Sequence, residues 1–76
     1  MMTNAITWTN PELLADADTW AAKDTVMAIL ADRGQTPTAE AIIHEAQIAK
    51  SWALTQPSYV ADRWATAYAR LIKAVR

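Results

Sequence analysis

The chain contains no cysteine, which removes disulfide stapling and the thiolate ligands of common structural zinc sites. With a single histidine, His44, no metal site and no cofactor are expected. Phenylalanine is absent, and glycine occurs once. No stretch approaches the roughly 18 consecutive apolar residues of a membrane-spanning helix. The opening MMTNAITWTN has neither a basic start nor an apolar core long enough for a secretion signal, so a cytoplasmic protein is expected. The net charge of −1 supplies no overall pull towards nucleic acid or anionic membrane.

What the chain does have is apolar content: 53% of 76 residues, including four tryptophans. That length makes one domain, 1–76, and buries only about 60% of the surface its unfolded form exposes. Domains of this size often lean on disulfides, metal or self-association. With the first two removed and many large rings to cover, a homodimer is expected.

Residues 1–9 alternate Ile6 and Trp8 with Thr7 and Thr9, the period of a strand. A lone strand has no partner in a helical chain, so an extended N-terminal arm is expected. It either docks Ile6 and Trp8 on the helices or crosses to a second subunit. Asn10-Pro11-Glu12 reads as a helix start: a capping oxygen, a first-turn proline and an acid. Asp18 or Thr19 can cap again, which gives helices near 11–17 and 19–33. A single bent helix over 11–33 is the alternative. Gly34 stands where a left-handed C-terminal cap belongs. Thr36-Pro37 then repeats cap and first-turn proline, opening a helix over 37–54. Gln56-Pro57 breaks it, and Ser58 can cap a last helix over 58–75. The expected fold is all-α, a small bundle of three to four helices.

The 37–54 segment is apolar over most of its circumference, with Glu40, His44, Gln47 and Ser51 as its continuous polar line. A surface helix shows an apolar stripe of little more than about 100°. This helix is therefore expected at the centre of the bundle with Ile42, Ile48 and Trp52 buried, so that Trp52→Ala would cost roughly 3–5 kcal/mol. The inner side of the preceding helix is expected to be Trp20, Val26, Met27 and Leu30. The last helix is the most regular amphipath, with Val60, Trp64, Ala67, Tyr68, Leu71, Ile72 and Val75 at three- and four-residue steps.

No catalytic constellation is visible. Ser51 and Ser58 have no orienting partners, and an enzyme is not expected. His44 has Glu40 four residues before it, a spacing that can hold an imidazole in one orientation. The plainer readings are a solvated histidine or a contact at a partner interface. The Val26–Ile43 stretch resembles a helix-turn-helix only in outline, because its second helix has no base before Lys50. The last helix has a basic stripe, Arg63, Arg70 and Lys73, with Tyr59 beside it. Such a stripe can be a solvated face, a surface for an acidic protein, or a contact for phosphates. The first 33 residues are correspondingly acidic, with Glu12, Asp16, Asp18, Asp24 and Asp32 against Lys23 and Arg33.

These features together point to a non-catalytic regulatory protein acting by protein–protein interaction, as an inhibitor, modulator or adaptor. Small proteins of this kind include those encoded by phages and mobile elements. Tyr59, Arg63, Arg70, Lys73, Trp8 and His44 are its candidate partner-binding residues. A dimeric DNA-binding transcriptional regulator using the basic last helix is the alternative.

Overall fold

The computed structural model describes residues 8–76. The expected extended arm and the docking of Ile6 fall on residues 1–7, outside the described residues. The described chain is all-α: a 3-10 turn at Pro11–Ala15, then α1 (Ala17–Asp32), α2 (Ala39–Ala53) and α3 (Ser58–Val75). Trp8, just before the turn, is partly buried against the core, as a docked plug would be.

The boundaries follow from local chemistry, with four shifts of cap. Asn10 does not cap the first turn. Its side-chain amide instead donates to the Lys73 carbonyl at 2.9 Å, and its backbone N–H donates to Ala74 O at 3.0 Å. The turn stops at Asp16, which is extended and caps α1 by accepting from the Thr19 N–H at 3.0 Å. The acid that serves is thus Asp16, not Asp18, and the 11–33 region is two elements with a break between them. At the start of α2 the cap is Thr38, accepting from the Ala41 N–H at 3.1 Å. Thr36-Pro37 precedes it as part of the linker. Ser58 is the first residue of α3, after Pro57, and makes no cap bond.

Gly34 ends α1 at φ +68°. The Gly34 N–H bonds Ala31 O at 3.0 Å and the Gln35 N–H reaches back to Leu30 O at 2.9 Å, the paired bonds of a Schellman cap. A Cβ at Gly34 would meet nothing within 4 Å, so only the backbone sets the requirement for glycine.

Helix α3 is the hub of the fold: the 3-10 turn, α1 and α2 all pack on it, while α1 and α2 meet each other much less. It buries Tyr68, Leu71, Ile72 and Val75 together with a set of alanines. The expectation that the 37–54 helix would be central is therefore corrected. Helix α2 buries Ile42, Ala46 and Ala53, but Ile48 is 53% and Trp52 58% exposed. An apolar circumference is covered only where a neighbour exists, and α2 has one substantial neighbour. Trp20 is also half exposed, and Thr19 takes the fully buried place beside it. The Thr19 hydroxyl is satisfied there by Asp16 at 3.1 Å. The Cα trace measures 44 × 27 × 17 Å, thin enough to leave helix faces without cover.

Two measurements check this arrangement. Leu71 is fully buried at the hub, so Leu71→Ala should lower unfolding free energy in dilute solution by about 3–5 kcal/mol. Trp52→Ala should cost only about 1–2 kcal/mol, because over half of its surface is already in water. Equal costs in urea titrations would place α2, not α3, at the centre. Separately, Gly34→Ala should cost about 1–2 kcal/mol through the left-handed backbone alone, and an unchanged midpoint would contradict the cap geometry.

Candidate protein-interaction surface

The candidate residues divide between two regions. The first is the edge where the 3-10 turn and the start of α1 run beside α3. Asp18, in the first turn of α1, accepts two bonds from Arg63, from Nε and Nη2, both at 2.8 Å. This is the parallel fork geometry that a guanidinium and a carboxylate favour. Arg70 approaches Asp16 at 3.6 Å, and the Asn10 bonds to α3 hold the far end of the same edge. Arg63 also lies over the Trp64 ring, 5.3 Å from its centroid, and Trp64 contacts Tyr68 at 6.5 Å between centroids.

The basic stripe is thus largely paired with the acids of the first half of the chain. Among the described residues, Lys73 is the member of the stripe with no ion pair. Tyr59, at the head of α3, is 78% exposed. Trp8 lines a groove of about 420 Å³ with Pro11, Leu14, Ala15, Trp20 and Lys23. The Lys23 ammonium sits 3.8 Å from the Trp20 ring centroid, close enough for a cation–π contact.

The second region lies on α2. His44 is exposed there and shares an open, polar depression with Arg33, Gln35, Thr38, Glu40 and Glu45. It stands apart from the α3 edge, so the six candidates do not form one site. Among the described residues no group of three or more histidine, cysteine, aspartate or glutamate side chains could hold a metal ion.

The residue that sequence reasoning missed is Glu45. It is 6% exposed, the one buried carboxylate among the described residues, and receives Arg33 Nη1 at 2.6 Å. The pair ties the end of α1 to the middle of α2. A signal was present in the sequence: on the helical wheel Glu45 falls inside the apolar arc, between Trp52 and Ile42, and not on the polar line. A buried carboxylate needs a partner, and Arg33 supplies it.

Three groups on this scaffold titrate away from their ordinary values. The hydrogen bonds and charge of Arg63 hold the Asp18 carboxyl below the usual aspartate range, against some desolvation, and Arg63 is raised reciprocally. Burial raises the Tyr68 phenol above 10.0, opposed by the Thr25 hydroxyl. Compared with protein-family models, curated proteins and solved structures, the chain matches none of them. No helix of the described residues is long and apolar enough to cross a membrane.

The Asp18–Arg63 pair has a pH signature. Because the folded carboxyl titrates below its unfolded value, its contribution is complete above the unfolded pKa of about 3.9 and is lost as pH falls through the folded one. Asp18→Asn should therefore be less stable than the parent at neutral pH, with the gap closing in acid below pH about 4. A gap independent of pH would show that the fork contributes nothing through ionisation.

Proposed function

We propose that this is a small non-catalytic regulatory protein that acts, as a homodimer, by occupying a surface of a larger protein. The observation that supports this reading is the amount of large apolar side chain left in water. Trp20, Ile48, Trp52, Leu54 and Tyr59 are each at least 50% exposed on a chain of 76 residues. Aromatics and arginines are the residue types enriched where proteins meet. The partner-facing edge on this reading is the one formed by the 3-10 turn, the start of α1 and α3, with Trp8, Trp20, Tyr59, Arg63, Arg70 and Lys73. It joins a hydrophobic groove to paired charges of both signs.

The same pairing weighs against the alternative of a dimeric DNA-binding regulator. Phosphate recognition draws its affinity from cations that displace counterions. Arg63 already has a carboxylate at 2.8 Å and Arg70 has one at 3.6 Å. A mixed-charge edge of this kind suits a protein surface better than a duplex.

The test combines capture and salt. Immobilised protein should enrich a partner that Trp20→Ala and the pair Arg70→Glu/Lys73→Glu fail to enrich, with helicity unchanged by circular dichroism. Binding that rests on apolar contact should persist from about 50 to 200 mM salt, whereas several phosphate contacts would lose orders of magnitude over that range. Retardation of a nonspecific duplex that collapses over the same range, with no protein captured, would replace this reading with the DNA-binding one.

A further inference from the structure

Among the described residues, none covers the outer face of α2. Along it, Glu40, His44, Ile48 and Trp52 follow one another at four-residue steps, and all four are exposed. Beside this ridge runs an open groove of about 380 Å³ between α1 and α2. It is walled by Thr25 and Ile29 on one side and by Ile48, Ala49 and Trp52 on the other, and floored by Tyr68. The groove exists because α1 and α2 both pack on α3 and only weakly on each other. The Arg33–Glu45 pair closes one end of it, electrically neutral and 2.6 Å apart.

We infer that this face binds a second copy of the chain, with α2 antiparallel to its counterpart across a two-fold axis at Ile48. The inference rests on the reading of the protein as an interaction module and names the surface that makes the dimer. Three observations select a second copy. First, a two-fold interface places each patch against itself, so a patch with net charge near the axis would repel its own copy. The α2 face carries one formal charge, Glu40, at its far end, and the neighbouring Arg33–Glu45 pair cancels.

Second, the ridge is complementary to itself. Residues whose numbers sum to 96 face each other in such a pair: Ile48 meets Ile48, His44 meets Trp52, and Glu40 meets Gln56 away from any second carboxylate. Ridges at four-residue steps are the ones that interdigitate in the commonest helix–helix packing. The imidazole of one copy lies against the indole of the other, which gives His44 its contact.

Third, the area fits a weak, reversible dimer. Helix α2 has 15 residues, so it is about 22 Å long and 10–12 Å wide with its side chains. An axis at Ile48 overlaps residues 43–53 of the two helices, about 16 Å of each, so that even with the α1 flanks the contact stays under about 1,000 Å² in total, the size of a weak, transient interface.

Sedimentation velocity on the full chain from about 5 to 500 μM, a span chosen to bracket micromolar affinity, tests the assignment. The parent should pass from monomer to dimer, and Trp52→Ala should weaken the dimer at least tenfold. Arg70→Glu/Lys73→Glu, on the opposite edge, should leave it unchanged. Because the chain has no cysteine, Ile48→Cys carries the sole thiol, and two such thiols at the axis fall within disulfide reach. Ile48→Cys should form a disulfide-linked dimer on mild oxidation at least ten times faster than Asp62→Cys, an exposed site on α3.

A parent that stays monomeric at 500 μM overturns the inference. So does a dimer indifferent to Trp52→Ala, or equal cross-linking at positions 48 and 62. A monomer that still captures a protein partner overturns this inference and the homodimer part of the functional reading, and leaves the partner reading standing. A dimer with the predicted cross-link that captures nothing overturns only the partner reading.

Discussion

The fold depends on the burial of one face of α3. Tyr68, Leu71, Ile72 and Val75 form the surface on which α1, α2 and the 3-10 turn are laid, and α3 makes the most extensive contact with each of them. A domain this small has little interior to distribute, so its stability is concentrated in these few contacts. Alanines at 61, 65, 67 and 74 let the neighbouring backbones come close, while the larger side chains supply most of the apolar area.

Once α3 is central, the charges of the chain take their places. The acidic front half and the basic back half are not two separate fields. The packing of the 3-10 turn and α1 on α3 brings Asp16 and Asp18 beside Arg70 and Arg63, and the charge asymmetry visible along the sequence is largely cancelled in space. Exposed pairs of this type contribute little stability individually. Their effect is to fix the register of α1 on α3 and to leave an edge of alternating sign. On the other side, Glu45 and Arg33 join α1 to α2 where apolar contact between those two helices is sparse.

The same hub leaves α2 with an unpartnered side. A helix that is apolar nearly all round needs neighbours on more than one face, and among the described residues α2 has only one substantial neighbour, α3. Ile48 and Trp52 remain in water, and the proposed dimer takes its surface from that shortfall. The proposed partner edge and the proposed dimer face are distinct, so one can be altered without the other.

How much of this could be read from the residues alone divides along a physical line. Helix content, the approximate ends of the three helices and the left-handed stop at Gly34 are set by interactions within about four residues, and those were legible. The choice between neighbouring caps, Asp16 over Asp18 and Thr38 over Thr36, was finer than local propensity resolves. Which helix sits in the middle was not legible, because composition shows how much apolar surface an element has and not how much of it finds a neighbour. The pairing of Asp18 with Arg63 across 45 positions and the burial of Glu45 were likewise decided by which faces meet. That depends on the packing of the whole chain, where each helix competes for a limited interior.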